Sequence, residues 1–153
     1  MIKEGGRAPA FKLQSDSGEY LSLKEYKGKN LVLYFYPKDM TSGCTTEALD
    51  FSENMALLKK KGALVVGISK DSIESHEKFK KKYKLSFPLL ADVDGEMVEA
   101  YGVWKEKSMY GRKYMGIERT TVIINADGKI AKIFPKVKVA NHVKAVLEAL
   151  SEI

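Results

Sequence analysis

Two segments constrain this chain more than any others: Leu31-Val-Leu-Tyr-Phe-Tyr36, stopped by Pro37, and Ala63-Leu-Val-Val-Gly-Ile68. Each is a short, continuous apolar run without alternation, the pattern of a strand buried on both faces. Between them Ala48, Phe51, Met55 and Leu58 recur at helical spacing, which predicts a helix over residues 45–61 ending at Gly62. A strand, helix and strand of these lengths imply a right-handed parallel crossover. The chain is thereby directed towards an α/β sandwich.

The remaining elements fit around that unit. The Asp71 to Glu74 spacing matches a capping box and predicts a helix running to about Tyr83. Phe87 to Ala91 reads as a short strand, followed by a helix from about Gly95 to Tyr101. Thr120 to Asn125 and Lys129 to Phe134 flank Ala126-Asp127-Gly128, a hairpin signal. Ala140, Val143, Leu147 and Leu150 mark one face of a last helix, and Phe11 to Leu13 with Tyr20 to Leu23 flank Asp16-Ser17-Gly18 as an N-terminal hairpin. The expected sheet is mixed, parallel in the middle and antiparallel at one side.

At 153 residues without a linker, repeat or low-complexity tract, one domain over residues 1–153 is expected. No apolar run approaches the ~20 residues of a membrane helix, and Met1-Ile-Lys-Glu-Gly-Gly6 lacks the pattern of a secretory signal. The expectation is a cytoplasmic protein with no membrane partner. The net charge of +6 raises nucleic acid as a partner. Its lysines cluster at Lys59 to Lys61 and from Lys78 to Lys84, on predicted helices where lysine forms a solvated face, so no nucleic-acid partner is expected.

The chain holds one cysteine, Cys44, so no disulfide can form within it. It lies in Pro37-Lys-Asp-Met-Thr41-Ser-Gly-Cys44-Thr-Thr-Glu47, between the first buried strand and the helix that follows. Open α/β sheets place their sites at such carboxyl ends. The first turn of a helix offers unpaired N–H groups and the positive dipole end, which favour a thiolate. Placement alone leaves a buried structural cysteine as an equal reading. Gly43 would let the backbone turn sharply and approach a small ligand. Thr41 can offer a hydroxyl or merely cap the helix, and Pro37 can shield a pocket or merely end the strand.

Taken together, Pro37, Thr41 and Cys44 resemble the Pro-x-x-x-Thr-x-x-Cys motif of peroxiredoxins. Tyr34-Phe-Tyr-Pro-Lys38 and Gly43-Cys-Thr45 are similar to the bacterioferritin comigratory protein, or peroxiredoxin Q, subfamily. The similarity extends to Gly5-Gly-Arg-Ala-Pro-Ala-Phe11, Tyr101-Gly-Val-Trp104 and Gly116-Ile-Glu-Arg119. It implies a thioredoxin-like fold with an N-terminal hairpin extension, and a thiol-dependent peroxidase acting on hydrogen peroxide and organic hydroperoxides. Cys44 would be the peroxidatic cysteine, Pro37 and Thr41 would shape the peroxide pocket, and Arg119 would support the thiolate. Glu47 would orient Arg119; by spacing alone it reads as a first-turn carboxylate facing the helix dipole.

Two positions depart from the subfamily pattern. Ser42 stands where proline is usual, and Leu49 stands where many relatives carry a resolving cysteine. A one-cysteine cycle follows, in which an external thiol such as thioredoxin, glutaredoxin or a small thiol reduces the sulfenic acid. No cofactor or metal is implied, and the expected state is a monomer or weak homodimer. Other chemistries fit poorly. His76 and His142 have no local motif joining them to Cys44, as a cysteine hydrolase requires. Asp50 occupies the position of a phosphatase arginine, and Ile68 that of a phosphate-loop lysine. The alternative is a thioredoxin-like redox-sensing or binding protein without efficient turnover.

Overall fold

The computed structural model describes residues 2–153. The first buried run forms β3 (Asn30–Phe35) and the second β4 (Ala63–Ser69), paired in parallel with Asn30 opposite Ala63 and Phe35 opposite Ile68. With β5 (Leu89–Ala91), β8 (Thr120–Ile124) and β9 (Ile130–Phe134) they make one mixed sheet in the order β5-β4-β3-β8-β9. Its β5-β4-β3 side is parallel, and β8 and β9 are antiparallel. A separate N-terminal hairpin pairs β1 (Lys12–Gln14) with β2 (Tyr20–Ser22). This is the expected thioredoxin-like arrangement with its hairpin extension.

Alternation along β3 divides the core into two layers. Val32, Tyr34 and Tyr36 face one side with Ala48, Phe51, Leu58, Phe79 and Val146. Leu31, Leu33 and Phe35 face the other with Val66, Ile68, Met97, Val98 and Tyr101. Each fully buried side chain of this size contributes roughly 2 kcal/mol. The Tyr34 ring stacks on Phe51 with centroids 4.7 Å apart and lies across Gly67 of β4. A Cβ at Gly67 would stand 2.9 Å from both Tyr34 and Leu89, so this strand glycine makes room for the aromatic layer beneath the helix.

Three expectations are corrected. The helix predicted over 45–61 starts earlier and is broken: α1 spans Ser42–Glu53 and α2 Met55–Lys60. Asn54 interrupts it, its side-chain amide donating to the Asp50 carbonyl at 2.8 Å, the local competition that makes Asn a poor interior helix residue. The next helix, α3 (Ile73–Tyr83), is capped by Ser72, whose hydroxyl accepts from the Ser75 N–H at 3.1 Å. Asp71 is occupied elsewhere: its carboxylate accepts from the Asp39 N–H and the Ser69 hydroxyl. A second hairpin, β6 (Trp104–Met109) with β7 (Arg112–Ile117), was not expected; it stands apart from the main sheet. Its outer residues are polar or exposed, so no buried apolar run announces it. The turn signal is Tyr110-Gly111, both residues left-handed.

The other elements agree to within a few residues. α4 spans Glu96–Ala100, and α5 spans His142–Ser151 with Val143, Val146 and Leu150 buried. In α5, Val146 replaces the half-buried Leu147 on the inner face, and Ala140 precedes the helix. Lys78, Lys81 and Lys82 of α3 and Lys59 and Lys60 of α2 are exposed, as solvated faces should be. Among the described residues no helix is long and apolar enough to cross a membrane.

Candidate active site

Strand order explains how the site assembles. The chain leaves the carboxyl end of β3 at Phe35, passes through residues 36–41 and enters α1, where Cys44 is the third residue. Antiparallel pairing sets Thr120, the first residue of β8, opposite Phe35, the last of β3. Arg119 immediately precedes β8 and is thereby delivered to the mouth of α1, 75 positions away in sequence from Cys44.

Arg119 binds two groups of α1. Its Nη2 donates to Cys44 Sγ at 3.3 Å, and its Nη1 donates to Glu47 Oε1 at 2.6 Å. Cys44 and Glu47 are each 1% exposed. Together with Ala48 and Phe51 they form the buried stripe of α1, so a carboxylate occupies a core-facing position. Burial pushes the Glu47 carboxyl up to about 7, overriding the Arg119 charge and hydrogen bond that pull it down. Its second oxygen, Oε2, has no hydrogen-bond partner among the described residues, which leaves the ionised form incompletely solvated. Burial also pulls Arg119 down, but Glu47 and Cys44 together outweigh it and hold the guanidinium above its ordinary value.

The other predicted residues lie in the segment that joins β3 to α1 and in the first turn of α1. Gly43 is inside α1 and is not left-handed, so it makes no sharp turn; the left-handed residue is Met40, at φ 66°. Gly43 instead provides clearance, since a Cβ there would stand 3.3 Å from Arg119 Nη2. Thr41 occupies the N-cap position without a side-chain cap bond; its hydroxyl donates to the Lys38 carbonyl at 2.8 Å. Pro37 is half-buried directly after the last buried aromatic of the run, Tyr36. Leu49 is half-buried and packs on the core beneath α1.

Two further residues border the site. Lys107 of β6 is half-buried, its stem folded over Gly116 of β7, where a Cβ would meet Lys107 Cδ at 3.2 Å. Burial and then the charge of Arg119 lower its pKa, while Cys44 acts in the opposite direction. His142 opens α5 and faces Thr121, with Nε2 and Oγ1 2.7 Å apart; burial and then Arg119 push its pKa down to about 4. Neither was reached from sequence spacing, because each comes from a separate element. Glu47 did carry a signal, since a carboxyl on the Cys44–Ala48–Phe51 stripe needs a partner or a proton once buried. An open cleft of about 420 Å³ between Leu23, Tyr26, Leu31 and Ile124 lies at the opposite end of the sheet and includes none of these groups.

The Glu47 and His142 shifts give opposite pH dependences of stability. Glu47 has a folded pKa of about 7 against an ordinary 4.5, so its stabilising share is complete below 4.5 and is lost as pH rises through 7. His142 has a folded pKa of about 4 against 6.5, so its share is complete above 6.5 and is lost as pH falls through 4. Glu47→Gln removes the first slope alone. From pH 4.5 to 7, wild type should lose stability relative to Glu47→Gln by on the order of 3 kcal/mol. Paired denaturant titrations across that range check this, and parallel curves would mean that Glu47 ionises normally.

Comparison with known proteins places this geometry. Residues 5–133 match the AhpC/TSA family. The putative peroxiredoxin bcp of Coxiella burnetii is 51% identical over 97% of this chain and 99% of its own length. Peroxiredoxin Bcp of Bacillus subtilis is 48% identical over 99% and 96%. Among solved structures, a cysteine-to-serine mutant of Xylella fastidiosa PrxQ superposes with a TM-score of 0.95 at 35% identity, covering 99% of this chain and 97% of that one. The Xanthomonas campestris bacterioferritin comigratory protein, described for its alkyl peroxide reduction activity, gives a TM-score of 0.89 at 43% identity over 93% and 90%. With a buried cysteine at the head of α1, an arginine delivered to it by β8 and this likeness along nearly its whole length, the chain belongs to the AhpC/TSA family as a peroxiredoxin of the Bcp/PrxQ type.

Proposed function

We propose that this thiol peroxidase works through a one-cysteine cycle centred on Cys44, with hydrogen peroxide and small organic hydroperoxides as substrates. The observation that carries the reading is the Arg119 guanidinium bonded at once to Cys44 Sγ and to Glu47. A fixed cation stabilises negative charge on sulfur, and its N–H groups can also donate to a peroxide oxygen. Glu47 holds the fork in register. Pro37 and Thr41 bound the approach to the sulfur. Alkyl peroxide reduction by the Xanthomonas relative supports the organic substrates.

In the first step the Cys44 thiolate attacks one peroxide oxygen. The S–O bond forms, the O–O bond breaks, and water or an alcohol leaves after taking up a proton. Sulfur is oxidised by two electrons to sulfenic acid, and the peroxide is reduced by two. An external thiol then displaces water to give a mixed disulfide, and a second thiol releases Cys44.

No second sulfur from cysteine exists in the chain to trap the intermediate, because Leu49 occupies a resolving position of many relatives. One equivalent of peroxide without reductant should leave sulfenic acid on Cys44, or a dimer joined through Cys44 that thiols dissolve. Excess peroxide should drive the same sulfur to sulfinic and sulfonic acids. Mass spectrometry with a sulfenate-trapping reagent reads each product. Many turnovers with no added thiol would exclude the one-cysteine cycle, and a single oxidation that thiols reverse without sustained turnover would indicate a sensor.

A further inference from the structure

Behind the Cys44 loop lies a buried polar network that the chemistry described above does not use. His76, on α3, is fully buried, and Asp39, in the loop between β3 and α1, is 4% exposed. His76 Nδ1 lies 2.7 Å from Asp39 Oδ2, and His76 Nε2 lies 2.9 Å from the Leu90 carbonyl of β5. A carbonyl only accepts, so Nε2 donates to it and Nδ1 faces the carboxyl of Asp39. The Tyr36 hydroxyl donates to Asp39 Oδ1 at 2.6 Å, and the Ser75 hydroxyl donates to Oδ2 at 2.8 Å. On the backbone side, the Asp39 N–H donates to Asp71 Oδ2 at 2.8 Å. Asp39, Asp71 and His76 bring metal-ligand atom types within 4.8 Å of one another, but those atoms are already bonded within the network.

We propose that Asp39 and His76 are positioning residues, which set the path of residues 37–41 and so place the peroxide pocket over Cys44. The placement is restrictive. Asp39 is anchored through both carboxylate oxygens and its own N–H to Tyr36, directly after β3, to α3 and to the loop after β4. The next residue, Met40, is left-handed at φ 66° and has no side-chain group to compensate locally. Such a conformation persists in a non-glycine residue only where its surroundings impose it. After Met40 the chain must reach Thr41 at the N-cap of α1, three residues before Cys44. Release of Asp39 frees Met40 to return to ordinary backbone angles, and Pro37 and Thr41 then leave their stations while α1, held by its own buried stripe, remains.

The inference rests on Cys44 as the reacting sulfur, so two reactions of that sulfur are compared. Peroxide oxidation needs the pocket, whereas alkylation by iodoacetamide needs only that the reagent reach the thiolate. Asp39→Ala removes every side-chain anchor. Asp39→Asn can keep the same partners, its amide donating to a neutral His76 Nδ1 and to the Ser75 hydroxyl oxygen while its carbonyl accepts from Tyr36. Both rates are measured by stopped flow and mass spectrometry well below each variant's Tm. For Asp39→Ala and His76→Leu, we expect oxidation to slow on the order of 10- to 100-fold, with alkylation within a few-fold of wild type. Asp39→Asn should recover most of the oxidation rate. Folded Asp39→Ala that oxidises within threefold of wild type, with only Tm lowered, would make the pair a stability element and overturn the proposal. Equal loss of both reactions would overturn it too, by placing the defect in α1 or in the sulfur itself. Slow peroxide oxidation of wild-type Cys44 would instead count against the proposed peroxidase site.

Discussion

Replacement of Cys44 by serine should reduce hydroperoxide consumption to the uncatalysed background. Cys44 is the only thiol in the chain, and the first step requires a sulfur that can accept oxygen and pass through sulfenic acid. A serine hydroxyl is close in size, so the buried stripe of Cys44, Glu47, Ala48 and Phe51 should still seat α1 on the sheet. The Arg119–Glu47 pair does not depend on sulfur and should also persist. The variant should therefore fold with a circular-dichroism spectrum like wild type while its steady-state rate, with any thiol donor, falls to that of buffer. Retained activity in Cys44→Ser would remove the sulfur from the chemistry altogether.

Arg119→Met should slow the oxidation of Cys44 on the order of 100-fold, the usual consequence of removing one preorganised donor from a reacting centre. Methionine keeps much of the arginine stem's bulk and loses both Nη donors. The loss has a second consequence, because Glu47 would then be a buried carboxyl without its cation, which destabilises the fold unless the group takes up a proton. Glu47 is already pushed up to about 7 by burial and should become protonated in this variant. The double variant Arg119→Met/Glu47→Gln separates the two effects. It should regain stability in denaturant titrations yet oxidise as slowly as the single variant in stopped flow. A rate restored along with stability would assign Arg119 a structural role instead of a part in the reaction.

Much of the architecture was legible in the chain itself. The uninterrupted apolar runs at 31–36 and 63–68 could only be buried strands, and the spacing of Ala48, Phe51, Met55 and Leu58 could only be a helix lying over them. Gly62, left-handed at φ 72°, ends that helical region where expected. The 120–134 hairpin followed from Ala126-Asp127-Gly128, and Asn125 completes it by accepting from the Asp127 and Lys129 N–H groups. Where local chemistry competes with periodicity, the chain misled. Asn54 broke a helix that the apolar pattern carried through, and Asp71 was drawn from its cap by Asp39, 32 positions earlier.

The candidate site divides in the same way. The position of Cys44 in the first turn of a helix, after a buried strand, is a local property, because it depends only on where the apolar run stops and the helical period begins. The family resemblance named Arg119 and Glu47, but spacing could not join them. Their contact exists because β8 runs antiparallel to β3 and returns the chain to the carboxyl end of that strand. Gly43 illustrates the limit well: its local reading was a turn, and its structural use is clearance for an arginine from another strand. His76 offered nothing to spacing, since its partners Asp39 and Leu90 come from a loop and a separate strand. Short-range order, set by backbone propensity and hydrophobic period, was thus determined by the sequence alone; the charges around the sulfur were decided by strand pairing and burial, which act between residues that the linear chain keeps far apart.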